Sequence, residues 1–127
     1  MEHTYYSDGN QRKIAWTIEN DAGAVCQVRT HIEDYFDRVT IEQSKYVALH
    51  VGIFWGIGRF IIKNGDVVNI TVDLQTIFDN LAENKAQQDP FVRSRTKFIR
   101  QLIDQRQLII RYKMIKPEQN KASNLLS

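Results

Sequence analysis

The first part of the chain alternates apolar and polar residues in three short runs. The runs cover 3–7, 14–19 and 24–32, and the turn-forming sequences DGN at 8–10 and NDAG at 20–23 separate them. Alternation with a period of two is typical of strands with one buried face, and such short turns join antiparallel neighbours. The pattern therefore predicts a three-stranded antiparallel meander.

After position 40 the apolar period changes to three and four residues, which predicts a helix. Thr40 followed by Gln43 has the pattern of a capping box, and the sequence NGD at 64–66 is a stop signal, so the helix is expected to run to near Ile62. Its small glycines are expected to let it pack close to the strands. The residues expected to face the sheet are Leu49, Gly52, Ile53, Gly56 and Phe60.

The second half of the chain alternates strands with helices. A strand is predicted over 67–72, a short helix over about 74–83, a helix starting at 89–90, a strand over 108–114 and a short helix after Pro117. The fold class is therefore α/β: a mixed five-stranded sheet, three antiparallel strands then two parallel additions, flanked by helices, in one domain over 1–127. The stripe expected to be buried on the helix after 89–90 consists of Phe91, Phe98, Ile99 and Leu102.

The composition excludes a disulfide-stabilised protein and a membrane-spanning protein. The 127 residues hold one cysteine, Cys26, so no internal disulfide can form, and no apolar stretch approaches the roughly 18 residues of a membrane span. The chain begins without the pattern of a signal peptide, and we expect a cytoplasmic protein with no membrane partner. The net charge is only +2, but the segment 93–121 is strongly basic, which fits either a solvated helix face or contacts to phosphates.

Five local motifs, in order along the chain, resemble the ribonuclease HI family. YSDGN at 6–10 is similar to the family's Y-x-D-G-S/N motif, and TIEQSKYVALHVGI at 40–53 is similar to T-N-N-x-A-E-Y-x-A-L-x-x-G-L. VDLQ at 72–75 resembles T-D-S-Q, DP at 89–90 falls where the family often has the same dipeptide, and EQNKASNLL at 118–126 resembles E-x-N-x-x-A-D-x-L. The resemblance implies the ribonuclease H-like fold over essentially the whole chain.

The same resemblance implies an activity and a metal site. The family hydrolyses the RNA strand of an RNA–DNA hybrid with two Mg²⁺ or Mn²⁺ ions, held by four carboxylates. Those four positions carry over to Asp8, Lys45, Asp73 and Asn124. Two match and two do not, because a lysine replaces the helix glutamate and an asparagine replaces the last aspartate. Asp8 and Asp73 are the only metal ligands expected to remain.

Lys45 is the larger departure. At 4 Å an ammonium repels a divalent ion by about 8 kcal/mol at an effective dielectric constant of roughly 20. We therefore expect Lys45 to pair with Asp8 and Asp73 and to occupy the place of the metal. In one alternative Glu42, one helical turn earlier, substitutes for the missing carboxylate while Lys45 points away.

Nucleic-acid recognition is a separate expectation from cleavage. The resemblance implies that the hybrid is recognised through polar groups around the first turn and the start of the long helix. The family's two asparagines after Thr40 are Ile41 and Glu42 here, which weakens the expectation of hybrid specificity. The candidates at matching places are Gly9, Asn10, Gln43, Gln75 and Asn120, and the candidates for phosphate contacts are Arg12, Lys13, Arg93, Arg95, Lys97 and Lys116.

The remaining polar and aromatic residues favour structural roles. Cys26, inside a predicted strand, is expected to be a small buried hydrophobe, and Trp16 and Trp55 are expected to pack between sheet and helix. The three histidines lack the spacing of metal ligands and are expected to be structural, at or near the surface; they are His3, His31 and His50.

Three functions remain open at this point. The first is a ribonuclease HI-like protein that binds hybrid with lost or impaired nuclease activity and needs no metal cofactor. The second is an active hybrid endoribonuclease that uses Asp8, Glu42 and Asp73 with two Mg²⁺ or Mn²⁺ ions. The third is a protein-interaction module on the same fold, with a partner that the sequence does not identify.

Overall fold

A computed structural model describes residues 1–127 and contains one five-stranded sheet. The strand order is β3-β2-β1-β4-β5. β2 pairs antiparallel with β1 and β3, whereas β4 pairs parallel with β1 and β5. The predicted α/β class and mixed sheet are confirmed. The strands are β1 (Glu2–Gly9), β2 (Lys13–Asn20), β3 (Gly23–Thr30), β4 (Val67–Val72) and β5 (Ile109–Met114).

Three helices connect the parallel strands. α1 (Ile41–Gly58) lies between β3 and β4 in the chain, and α2 (Gln75–Leu81) and α3 (Pro90–Gln105) lie between β4 and β5. The short helix predicted near the end of the chain is instead two 3₁₀ turns, Pro117–Gln119 and Ser123–Leu126. None of the helices combines the length and apolarity that a membrane span requires.

α1 begins as predicted and ends earlier than predicted. The Thr40 hydroxyl accepts from the Gln43 amide at 3.0 Å, and the Gln43 side chain accepts from the Thr40 amide at 2.9 Å, which confirms the capping box. The helix ends at Gly58 because Phe60 takes a left-handed conformation with φ of 61°. This turn folds Ile62 back into the core, where it is 1% exposed, whereas Phe60 is 80% exposed and does not face the sheet.

The core lies between α1 and the centre of the sheet. The Tyr5 hydroxyl donates to the carbonyl of Ala48 at 2.6 Å, so β1 and α1 are in close contact. A methyl group at Gly52 would clash with the Tyr5 hydroxyl and lie 2.7 Å from the Trp16 ring. The predicted close approach at this glycine is confirmed. Trp16 is fully buried and lies 5.8 Å from the Trp55 ring, as expected for packing between sheet and helix.

Besides Phe60, two more residues expected to be buried lie outside the core. Cys26 is exposed because β3 is an edge strand whose side chains no second layer covers. Phe98 is 47% exposed and stacks on the ring of His50. On α3 the buried stripe is formed instead by Val92 and Thr96 together with the predicted Ile99 and Leu102.

Candidate functional site

The sheet brings Asp8 and Asp73 together. β1 and β4 are parallel, with Tyr5 paired to Ile70, and the same register continued by three residues places Asp8 beside Asp73. Asp8 is the second-last residue of β1, and Asp73 directly follows Val72 at the end of β4. Because both strands end at the same edge of the sheet, both carboxylates lie at one opening.

The second turn of α1 brings Lys45 to the same opening. Any side chain at Gly9 would clash with Ser44, so glycine permits α1 to contact the end of β1 here. From the next position along the helix, the Lys45 Nζ atom donates to Asp8 Oδ1 at 2.7 Å and to Asp73 Oδ1 at 3.0 Å. The predicted pairing of Lys45 with both aspartates is confirmed.

The other carboxylate oxygens also have donors from the protein. Asp8 Oδ1 accepts a second hydrogen bond from the Gly9 amide at 2.8 Å, and Asp8 Oδ2 accepts from the Ser123 hydroxyl at 2.5 Å. Asp73 Oδ2 accepts from the Asn120 side-chain amide at 3.0 Å. All four oxygens of the two aspartates are therefore hydrogen-bonded within the chain. The group formed by Asp8, Lys45, Asp73, Asn120 and Ser123 is called the lysine cluster below.

Asn124 does not join the lysine cluster. Its side chain is exposed and makes no hydrogen bond to Asp8 or Asp73, and its backbone carbonyl accepts from the Ser127 hydroxyl. Ser123, one residue earlier, makes the contact expected of position 124. The physical reason is that this segment is a 3₁₀ turn, in which side chains repeat every three residues and point elsewhere than in an α-helix.

Glu42 does not reach the two aspartates either. It lies in the first turn of α1, and its Oε1 atom accepts a hydrogen bond from the Thr76 hydroxyl at 2.6 Å. Thr76 belongs to α2, so the contact links the starts of two helices. The structure thus brings Asp8, Lys45 and Asp73 together and directs Glu42 to another partner.

The lysine cluster is partly shielded from solvent. The exposed fractions of the side chains are 17% for Lys45, 12% for Asp8 and 7% for Asp73. Burial by itself would lower the pKa of Lys45, but hydrogen bonds and opposite charge, first from Asp8 and then from Asp73, outweigh it, and the pKa is raised. Lys45 is therefore a permanent cation at neutral pH.

The donor set of this cluster does not fit a divalent metal ion. Mg²⁺ requires oxygen ligands in near-octahedral geometry. Besides the two carboxylates, the cluster presents an ammonium, an amide nitrogen and a hydroxyl hydrogen, all of which act as donors toward the carboxylates. No group of three or more acid, histidine or cysteine side chains is placed to hold a metal ion. An ion in this position would have to displace the Lys45 ammonium.

Most polar candidates for nucleic-acid contacts also stabilise the fold. The Gln43 side-chain amide donates to Asp89, the N-cap of α3, at 2.8 Å. The Gln75 amide donates to Asp79 at 2.9 Å, one turn along α2. The Asn10 side chain accepts from two backbone amides of its own turn. Asn120, as described above, is part of the lysine cluster.

The basic candidates divide into two groups. Arg95 is taken up by structural contacts, since its guanidinium donates to the Tyr35 hydroxyl at 2.8 Å and to His50 Nδ1 at 2.9 Å. Arg93 and Lys97, in contrast, line a polar cavity of about 800 Å³ between α3 and the α2–α3 loop. The remaining three are exposed, and one of them pairs with Asp37; they are Arg12, Lys13 and Lys116.

Two buried histidines have partners that the sequence did not indicate. His3 is fully buried, and its Nε2 atom lies 2.8 Å from Asp66 Oδ2. His31 Nε2 lies 2.7 Å from the Ser44 hydroxyl, and burial, the largest cause, lowers the pKa of His31. Both contacts join segments far apart in the chain, so local spacing gives no signal for them. The structural role expected for the histidines fits these contacts, but the expected position at or near the surface is wrong for His3 and His31, because their polar partners lie inside the protein.

The architecture matches solved structures of ribonucleases H. RNase H1 from the halophilic archaeon Halobacterium salinarum NRC-1 gives a TM-score of 0.79 at 19% identity, covering 99% of this chain and 98% of that one. The N-terminal RNase H domain of a Mycobacterium tuberculosis protein gives a TM-score of 0.77 at 13% identity, covering 98% of this chain and 89% of that one. LC11-RNase H1 from compost, solved in complex with an RNA/DNA hybrid, gives a TM-score of 0.72 at 16% identity. This match covers 97% of this chain and 92% of that one.

These similarities define the class of fold. The chain has the ribonuclease H fold over nearly its whole length, with the strand order and parallel crossovers described above. No protein-family model matches the sequence, and no curated protein matches it either.

Proposed function

We propose that this protein binds nucleic acid of the RNA–DNA hybrid type and has lost, or strongly reduced, metal-dependent nuclease activity. The observation that carries the proposal is the ammonium of Lys45, 2.7 Å from Asp8 and 3.0 Å from Asp73. The ribonuclease H fold supports the binding part, since one structure that it matches, LC11-RNase H1, is a complex with an RNA/DNA hybrid.

Binding and hydrolysis make different demands on the surface. Hydrolysis of the kind catalysed by the ribonuclease HI family needs divalent ions, and the lysine cluster disfavours them. Binding of a sugar–phosphate backbone needs positive charge and hydrogen-bond donors, which the cavity beside α3 provides without ions. We therefore infer that hybrid binding by this protein is independent of Mg²⁺ and that no metal cofactor is required.

The cavity beside α3 is the strongest candidate for phosphate contacts. It is lined by Lys85, Arg93, Lys97 and Arg100 and by one acidic residue, Asp104, while Lys85 also pairs with Asp79 at 3.7 Å. Four basic side chains around one open polar cavity create a positive potential that attracts a phosphate backbone. Arg95 is left out of this set because its guanidinium is fixed against aromatic rings.

Hybrid binding is tested by fluorescence anisotropy with a labelled RNA–DNA hybrid, in EDTA and in Mg²⁺. We expect equal affinity in both and a steep decrease with salt. The double variant Arg93→Ala with Lys97→Ala should reduce the slope of log K against log salt by about 2, one unit for each lost phosphate contact. Arg59→Ala, an exposed arginine elsewhere, is the matched control and should leave the slope unchanged. Binding that is absent, or that requires Mg²⁺, contradicts the proposal.

Loss of cleavage is tested on the same hybrid, first with Mg²⁺ and then with Mn²⁺. The unmodified chain should give no product. Lys45→Glu combined with Ser123→Asp should create a carboxylate set and raise Mn²⁺ affinity by at least about tenfold in calorimetry. Lys45→Glu with Asn124→Asp is the matched control and should bind more weakly, since Asn124 points away. Cleavage by the unmodified chain that disappears in Asp8→Asn or Asp73→Asn overturns the proposal.

The alternative is an active enzyme that uses Glu42 as its third carboxylate. No contact supports it, because the Glu42 carboxylate accepts a hydrogen bond from Thr76 instead. Glu42→Ala decides it in the same assay: if the chain cleaves hybrid and this variant does not, Glu42 is the missing carboxylate. The cytoplasmic location expected from the sequence remains a prediction.

A further inference from the structure

The C-terminal half of α1 presents apolar side chains to solvent. Phe54 is 62% exposed and Phe60, just after the helix, is 80% exposed, while Val51 and Trp55 are only partly covered. A helix at the surface of a globular protein normally has a polar outer face. An apolar outer face on the central helix indicates a surface that another molecule covers.

One cavity lies along this half of α1 and a second lies just beyond the end of the helix, both beside β3. One, of about 300 Å³, is formed between Trp16, Val51 and Trp55, with Arg29 of β3 at its rim. The other, of about 470 Å³, is lined mainly by apolar residues and includes Val25 of the same strand. Concave apolar spaces of this size accept side chains such as leucine or phenylalanine. Together they are called the edge groove below.

β3 itself is an unprotected sheet edge. It has eight residues, no proline and one charged residue, Arg29, and its outer side makes no backbone hydrogen bond. Sheet edges are usually protected by charges or bulges, and the opposite edge, β5, carries Arg111 and Lys113 in six residues. β3 therefore offers backbone donors and acceptors to an additional strand.

The side chains of β3 fit this arrangement. Val25 pairs with Ile18 and Arg29 pairs with Ile14, so alternate residues of β3 point to the side where α1 lies. A strand added beside β3 would likewise direct every second side chain toward the edge groove. Backbone pairing would supply affinity and the two cavities would select the side chains.

The rim of the edge groove is basic. Arg29 and Lys63 line the two cavities, and the Arg59 guanidinium lies 5.4 Å from the centre of the Trp55 ring. The one acid lining either cavity, Asp66, is engaged with His3 inside the protein. A partner that fits is therefore acidic, and a second copy of this chain is disfavoured because it would bring like charges together.

We propose that the edge groove binds an extended peptide segment of a partner protein in which large apolar residues and aspartate or glutamate share the alternate positions that face the groove. The segment adds as a sixth strand on β3 and inserts its apolar side chains beside Trp16 and Trp55. This site is separate from the lysine cluster, since Lys45 and Trp55 are ten residues apart on α1, about 15 Å along the helix axis. The inference does not depend on nucleic-acid binding.

The test uses the full chain as bait for a library of random twelve-residue peptides displayed on phage. We expect enrichment of peptides in which alternate positions carry either large apolar or acidic residues. For a synthetic copy of an enriched peptide, Phe54→Ser and Arg29→Glu should each weaken binding at least about tenfold. Phe98→Ser is the matched control, an exposed aromatic on α3, and should leave the affinity unchanged. Amide resonances of β3 should shift on addition of the peptide.

Three outcomes overturn the inference. One is that the library yields the same peptides with the Phe54→Ser protein as with the unmodified chain. Another is that a labelled single-stranded oligonucleotide, and no peptide, binds in a manner that Phe54→Ser abolishes. A third is that ultracentrifugation shows a dimer that Phe54→Ser dissociates. Hybrid binding measured on the same variants should not change, which separates failure of this inference from failure of the proposed function.

Discussion

Two charged clusters lie at opposite ends of the same pair of parallel strands. At the start of β1 and β4, His3 Nε2 lies 2.8 Å from Asp66 Oδ2. At the ends of these strands, Lys45 donates to both Asp8 and Asp73. One end thus pairs a histidine with one acid, whereas the other pairs a lysine with two acids.

The two ends differ in how their charges are balanced. His3 is fully buried, and Asp66 accepts further hydrogen bonds from the Lys63 amide and the terminal amine. Burial tends to raise the pKa of Asp66, but the hydrogen bonds from His3 and Lys63 and the charge of the terminal amine lower it to about 2. The lysine cluster, by contrast, has two carboxylates and one ammonium and keeps one uncompensated negative charge.

The largest effect is expected from removing the cation of the lysine cluster. Lys45→Met leaves two shielded carboxylates facing each other, and breaking such a buried pair costs about 3 kcal/mol at pH 7. Urea unfolding followed by circular dichroism measures the loss. Millimolar Mg²⁺ should stabilise the variant while leaving the unmodified chain unaffected.

The stability of the two proteins at alkaline pH provides the control for this variant. The pKa of Lys45 is raised above 10.5, so its contribution is complete below pH 10.5 and is lost as pH rises through the folded-state pKa. The unmodified chain should therefore lose stability above pH 10.5 relative to Lys45→Met. Equal stability of the two proteins at pH 7, with no response to Mg²⁺, would show that the ion pair does not stabilise the fold.

The sequence predicted the parts of this comparison that follow from local pattern. The five-stranded sheet follows from strand and helix periods, whereas the meeting of Asp8, Lys45 and Asp73 was implied by the resemblance of their motifs to those of the ribonuclease HI family. Ser123 was missed because a 3₁₀ turn shifts the contact by one residue from the position that the motif indicates. His3 was missed as well, because its partner is 63 residues away in the chain.

The other differences arise from tertiary structure. The exposure of Cys26 depends on the position of β3 in the sheet, which the sequence of that strand does not encode. α1 ends at Gly58 and not near Ile62 as predicted, because burial of Ile62 requires the chain to turn back at Phe60. In both cases distant packing decides the outcome over local periodicity.

A smaller effect is expected at the His3–Asp66 pair, where β1 and β4 begin. Asp66→Asn removes the negative charge of the carboxylate that contacts His3. The substitution should lower the free energy of unfolding by about 2 kcal/mol at pH 7. Because the pKa of Asp66 is lowered from 3.8 to about 2, its contribution is complete above pH 3.8 and is lost as pH falls to about 2. The difference between the variant and the unmodified chain should therefore disappear near pH 2. A constant difference from pH 7 to pH 2 would contradict this origin.

The smallest effect is expected from the hydroxyl that completes the lysine cluster. Ser123→Ala removes the donor to Asp8 Oδ2, and the loss of one hydrogen bond to a charged, partly solvated acceptor costs about 1 kcal/mol. Asn124→Ala is the matched control, since its exposed side chain touches neither carboxylate, and its unfolding free energy should stay within about 0.5 kcal/mol of the unmodified chain. Comparing the two variants shows whether Ser123 or Asn124 occupies the position of the family's fourth carboxylate. If Asn124→Ala proves the more destabilising of the two, the motif alignment describes the end of the chain better than the 3₁₀ geometry does.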